Sequence, residues 1–99
     1  KKINLYPIIE RDLNFVLKKE QEVGDLIEII RKLGKQLVIE AKPKNIYSNS
    51  DDIGEEFKSV TFSIVFQHSS KTLEDSDVNP IIDEIVNFAE KKFHAKLRV

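Results

Sequence analysis

The sequence predicts one α+β domain in which strands and helices follow in the order βαββαβ, its four strands forming an antiparallel sheet of spatial order 4-1-3-2 with both helices on one face. Three observations carry this. Period-two alternation marks strands at Asp12 to Lys18 and Phe57 to Gln67, and each is followed by a segment with an apolar stripe at helical spacing. The 99 residues make one small domain, spanning residues 1–99, with a single core that buries roughly 60 to 65% of the unfolded surface.

In "DLNFVLK" (Asp12 to Lys18), Leu13, Phe15 and Leu17 alternate with Asn14, Val16 and Lys18, the pattern of a half-buried strand. From Val23 the spacing changes to Val23, Leu26, Ile27, Ile30 and Leu33, one stripe of an α-helix, and Gly34 stands where a helix often ends in a left-handed residue. Leu37 to Tyr47 is the second strand. Its Pro43 has no N–H for a ladder and belongs at a sheet edge or in a bulge. Ser48 to Glu56 is a polar turn. In "FKSVTFSIVFQ" (Phe57 to Gln67), Val60, Phe62, Ile64 and Phe66 face a core, while Ser59, Thr61, Ser63 and Gln67 face the other way.

His68 to Asp75 connects to the second helix, whose stripe is Val78, Ile81, Ile82, Ile85, Phe88 or Ala89, and Phe93. Asn79 and Pro80 suit an N-cap and a first helical position, yet the stripe begins at Val78, so an irregular first turn is expected. Ala95 to Val99 is the last strand, with Leu97 inward and Lys96 and Arg98 outward. Two right-handed crossovers then give the ferredoxin-like arrangement. One face of the sheet is left open. Ser59, Thr61 and Ser63 line its centre beside Asn14 and Val16, with Glu40 and Lys42 on one flank and Lys96 and Arg98 on the other.

Composition narrows the function. The formal net charge of −1 rules out a protein that grips nucleic acid by bulk charge alone. Acids concentrate in "DDIGEE" and "EDSD", whereas Lys32, Lys35, Lys42 and Lys44 form one basic neighbourhood and "KKFHAKLR" another. With no cysteine there are no disulfides, thiolate nucleophiles or cysteine-held metals, which agrees with a cytoplasmic location. No apolar run approaches the roughly 20 residues that span a bilayer, so no membrane partner is expected. A chain that opens "KKINLYP" and contains no methionine is expected to be a fragment of a longer protein.

Catalytic motifs are missing. The three glycines stand far apart, which excludes a P-loop or a dinucleotide fingerprint. "NSDDIG" falls short of a calcium loop, because Ile53 and Val60 occupy ligand positions. Neither His68 nor His94 has a second histidine at ligand spacing, and His68 with Ser69 and Ser70 is a loop of hydroxyls. "KEQEVGD" after the first strand is unlike the phosphate loop of an acylphosphatase. Phe62 and Phe66 share parity with Val60 and Ile64, so the third strand shows no stacking aromatics of the RNA-recognition-motif kind.

"YPIIERDLNFVL" (Tyr6 to Leu17), "KSVTFSIVFQ" (Lys58 to Gln67), "KTLEDSDV" (Lys71 to Val78) and the terminal Leu97 and Arg98 resemble, in order and spacing, the ferredoxin-fold anticodon-binding domain. That family closes the β subunit of bacterial phenylalanyl-tRNA synthetase and the organellar single-chain enzyme. The resemblance covers essentially the whole chain. It implies a non-catalytic module that contacts the anticodon stem-loop of tRNA(Phe), with no cofactor of its own. Aminoacylation with ATP and magnesium would take place elsewhere in the parent ligase, with the other β-chain domains and the catalytic α subunit as partners. Arg11, Asp12, Lys58, Ser59, Thr72 and Arg98 occupy the family's pattern positions. Of these, Asp12 would pair with a neighbouring charge and Thr72 would cap or orient the second helix.

The chain departs from the family at two places. Pro43, Lys44 and Asn45 replace a leucine-phenylalanine-aspartate run before the tyrosine, and Glu74 replaces a threonine, shifting helix capping to Asp75 or Asn79. The expected RNA-contact set is Lys42, Lys44, Lys58, Lys96 and Arg98 on phosphates, with Asn14, Ser59, Thr61 and Ser63 giving short hydrogen bonds. Two other classes share the strand order: a regulatory domain binding an amino acid between paired sheets, and an interdomain packing module. The first predicts a dimer stabilised by an amino acid, the second an exposed apolar patch.

Overall fold

The computed structural model describes residues 6–48, 54 and 56–98, so most of the turn expected over Ser48 to Glu56 lies outside it, as does Val99. The elements are β1 (Ile9–Lys18), α1 (Val23–Gly34), β2 (Val38–Tyr47), β3 (Phe57–Phe66), α2 (Asp75–Phe93) and β4 (Lys96–Leu97). They form one antiparallel sheet in the order β2-β3-β1-β4, which is 4-1-3-2 seen from the opposite edge.

Alternation on the two central strands does what its period requires. Leu13, Phe15 and Leu17 of β1 and Val60, Phe62, Ile64 and Phe66 of β3 are buried under the helices, with Phe15 and Phe62 edge to face at a centroid distance of 6.2 Å. Leu26 and Ile30 from α1 and Val78, Ile85 and Ala89 from α2 complete the same core. Of the two alternatives in the α2 stripe, Ala89 is the buried one and Phe88 is 36% exposed.

Gly34 has a role other than the expected one. It is the last residue of α1, and the positive φ, 54°, falls on Lys35, whose N–H bonds the Arg31 carbonyl. The glycine is there for space. A Cβ at Gly34 would lie 2.0 Å from Val38 Cγ2 and 2.7 Å from Val38 Cβ, so a side chain would push α1 off the start of β2. β2 is an edge strand with register shifts between Val38 and Glu40 and between Pro43 and Asn45, placing Pro43 beside a bulge as its missing N–H demands.

α2 starts upstream of Asn79, and Pro80 lies inside it. Asn79 and Asp75 are therefore not the cap. Glu74 is the N-cap, and its N–H donates to Asp77 Oδ2 at 2.9 Å. That bond, helped by Lys71, holds the Asp77 carboxyl below the usual carboxylate value. Val78 explains the early start: it is fully buried, and only a turn of helix ahead of the proline sets it over the core. Pro80 forfeits just the bond it would have donated to the Ser76 carbonyl. His94 ends the helix in a left-handed conformation with φ 55°. β4 is shorter than the expected Ala95 to Val99: Ala95 is buried beneath the sheet edge, and Leu97, opposite Phe15 on the core side, stays 36% exposed because no strand lies beyond it.

Candidate functional site

The open face is built in rows, because every second residue of each strand points to it. From one end the ladder places Glu40, Val65 and Glu10 together, then Lys42, Ser63 and Asp12, then Asn45, Thr61 and Asn14, then Tyr47, Ser59, Val16 and Lys96, and last Phe57 with Lys18. The Arg98 N–H bonds the Asn14 carbonyl at 2.7 Å, which fixes Arg98 beside the third row.

Two of the three central hydroxyls are not waiting for a ligand. Ser63 Oγ donates to Glu10 Oε2 at 2.8 Å and Ser59 Oγ to Asn14 Oδ1 at 2.5 Å, and both serines are only 3% exposed. Longer side chains on the neighbouring strand bend over them diagonally. A buried hydroxyl with a satisfied donor contributes to the sheet, and only Thr61 of the three remains half-exposed.

The expected cations divide as well. Lys42 pairs with Glu40 at 3.4 Å, and Lys44 reaches across β3 to Asp12 Oδ2 at 2.9 Å. The Asp12 hydrogen bond and charge raise the Lys44 pKa, and Asp12 finds the partner charge expected of it. Lys58 does not share the open face with the other expected contact residues: it stands opposite Leu17 and donates to the Gln21 carbonyl at 2.7 Å, closing the loop after β1. Its parity with Val60 was the signal. Lys96 and Arg98 remain exposed on the open face, joined by Lys18, which the sequence reading left unassigned.

Arg11 and Thr72 also fall outside the face. Arg11 shares the parity of Leu13 and forms an ion pair with Asp75, tying β1 to the first turn of α2. Thr72 is exposed ahead of the Glu74 cap and makes no side-chain hydrogen bond among the described residues, so it does not cap α2.

Between the third and fourth rows lies a depression of about 360 Å³ lined by Asn14, Asn45, Ile46, Tyr47, Ser59, Thr61 and Arg98. Among the described residues it holds two amides, three hydroxyls and one cation, and no carboxylate. Asn45 and Tyr47 were missed because the bulge after Pro43 resets the alternation of β2. A larger depression, about 570 Å³, lies on the helix side, where Lys35 and Lys71 mix with Asp77 and Glu84 and where Lys71 already pairs with Asp77 at 3.6 Å. His68 accepts the Ser70 N–H at Nδ1 over 3.0 Å in a local turn, an arrangement without a third orienting group.

A four-stranded sheet with two helices on one face and an uncovered polar face edged by cations defines a ferredoxin-like contact module. The family model for the ferredoxin-fold anticodon binding domain matches residues 4–98, and the chain belongs to that family. It is 40% identical over 92 residues to a phenylalanine–tRNA ligase beta subunit of Prochlorococcus marinus, covering 93% of this chain and 11% of that protein. The same subunit of Thermotoga maritima is 39% identical over 93 residues, covering 94% and 12%, and that of Coxiella burnetii 35% over 96 residues, covering 97% and 12%. The chain thus spans about an eighth or less of the length of these relatives.

Proposed function

We propose that this chain is the anticodon-contacting domain of a phenylalanine–tRNA ligase beta subunit and that it holds the anticodon loop of tRNA(Phe) on the half of the open face farthest from Glu10 and Glu40. The observation that carries this reading is the carboxylate-free depression of Asn14, Asn45, Thr61 and Arg98, with Lys96 and Lys18 beyond it. An acidic surface repels a phosphate backbone, and the ion-paired rows at Glu40, Lys42, Lys44 and Asp12 offer no uncompensated positive charge. The cations position the strand, while the amides of Asn14 and Asn45 and the Thr61 hydroxyl meet base edges, which unpaired loop nucleotides expose.

Phenylalanine activation, ATP and magnesium belong in this reading to the rest of the enzyme, and its other β-chain domains and α subunit are the protein partners. The cytoplasm is the compartment where that enzyme would meet its tRNA. No helix among the described residues is long and apolar enough to cross a membrane. The test is an NMR titration of the labelled chain with a tRNA(Phe) anticodon stem-loop at low salt, beside the same loop with a changed anticodon. Amide shifts confined to Asn14, Asn45, Thr61 and Lys96 to Arg98, larger for the cognate loop, are expected. Their absence at millimolar RNA overturns autonomous binding by this face.

A further inference from the structure

Next to the polar depression, where β3 begins and α2 ends, the open face carries a second concavity of about 360 Å³ with different chemistry, lined by Val16, Lys18, Phe57, His94 and Lys96. Three elements build it. β1 presents Val16 and Lys18, β3 sets Phe57 opposite Lys18, and β4 sets Lys96 opposite Val16. The left-handed cap at His94 turns the chain out of α2 so that this residue stands at the rim. The floor is apolar, formed by Val16 and by the Phe57 ring, which is 36% exposed. Among the described residues the rim is three basic side chains and no acid. Glu90, one helical turn before His94, lines the adjoining hollow with His94, Ala95 and Lys96.

We propose that this concavity is a nucleotide subsite, taking an unpaired base on Phe57 and Val16 with its phosphate against Lys18 and Lys96, next to the nucleotide held in the polar depression. The inference rests on the RNA-contact reading of the open face. A flat apolar floor calls for a flat apolar occupant, and a rim of bases without acids calls for an anion. A nucleotide supplies both in one molecule, because a base and its phosphate are covalently joined. The two hollows are offset by about one row, roughly 7 Å along the strands, a span that successive nucleotides of an unstacked strand bridge. Every base has a π-face, so the subsite adds affinity whatever base occupies it, and discrimination stays with the amides of the first hollow.

The test uses the 99-residue chain, which encloses its own continuous core, and a tRNA(Phe) anticodon stem-loop, intact or with single loop nucleotides made abasic. Phe57→Ala should weaken binding roughly 5- to 150-fold, the range for loss of one base–aromatic stack, while Phe57→Trp retains it. Phe57→Leu, which keeps the apolar floor without the stack, should fall on the weak side. It serves as the readout if the alanine variant fails to fold. The amides of Lys18, Phe57, His94 and Lys96 should shift in step with Asn14 and Thr61, and one abasic position should abolish the penalty of Phe57→Leu. Shifts at Asn14, Thr61 and Arg98 with Phe57 and His94 silent, and Phe57→Leu neutral, overturn the subsite and leave the open face as an RNA site. Absence of shifts anywhere on the face overturns the RNA reading and the subsite with it.

Discussion

The salt dependence of RNA binding separates the open-face cations that meet phosphate from those the fold has already engaged. Each phosphate neutralised on a single strand steepens the slope of log K against log salt by about 0.7. Among the described residues, Lys18, Lys96 and Arg98 are the three exposed cations on the half of the face without carboxylates, whereas Lys42, Lys44 and Lys58 are held by Glu40, Asp12 and the Gln21 carbonyl. Three contacts predict a slope of about −2, a loss of roughly 20-fold in affinity between 50 and 200 mM salt. Six contacts would give about −4 and roughly 300-fold. Fluorescence anisotropy with a labelled anticodon stem-loop measures the difference directly. Arg98→Ala and Lys96→Ala should each flatten the slope by about 0.7, and Lys44→Ala should leave it unchanged. A slope of −4 or steeper, or a Lys44→Ala effect as large as that of Arg98→Ala, would refute the division of the face.

Gly34→Ala should destabilise the fold: helix propensity favours alanine by about 1 kcal/mol, but forcing a methyl against Val38 costs about 1–3 kcal/mol, for a net loss of up to about 2 kcal/mol. Chemical denaturation checks this, and Val38→Ala in the same chain should restore part of the loss. Ser63→Ala should cost about 0.5–1.5 kcal/mol in stability through the orphaned Glu10 contact and leave RNA affinity unchanged, as measured by urea melts beside anisotropy. The Asp77 carboxyl titrates below its unfolded value because it accepts the Glu74 N–H, so its contribution is present at neutral pH and lost as pH falls through and below the ordinary carboxylate range. Melting curves of Asp77→Ala and the parent should therefore converge on acidification; a gap that persists in strong acid would remove Asp77 as the capping group.

Legibility tracked how local the physics was. Alternation on β1 and β3 and the stripe on α1 depend on the period alone, so the burial of Leu13, Phe15, Val60, Phe62 and Ile30 is readable in the sequence. The strand order and family follow from the same elements together with residues such as Arg11, Asp12, Lys58 and Ser59. What escaped depended on which partner the fold brings against each residue. Gly34 looks like a helix stop until Val38 is placed against it, and Ser59 and Ser63 look like ligand hydroxyls until Asn14 and Glu10 fold over them. Lys44 looks like a free cation until Asp12, two strands away, arrives at 2.9 Å. Lys58 is the exception. Its place beside Val60 in the alternation already put it on the helix side, and Phe57 by the same count belonged with Ser59 on the open face.

The irregular β2 bears on how this chain behaves among copies of itself. A sheet with one bare face has two edges at which a neighbouring molecule can add a strand, and such growth is the common route from a small β-rich domain to insoluble fibres. Along β2 the ladder is broken twice, Pro43 withholds a donor, and Glu40, Lys42 and Lys44 put charge on the margin, while β4 offers only Lys96 and Leu97. Among the described residues neither border has a long straight run of free amides to template another copy. Pro43 and Lys44 therefore guard the β2 border of a sheet with an open polar face against strand addition by another copy.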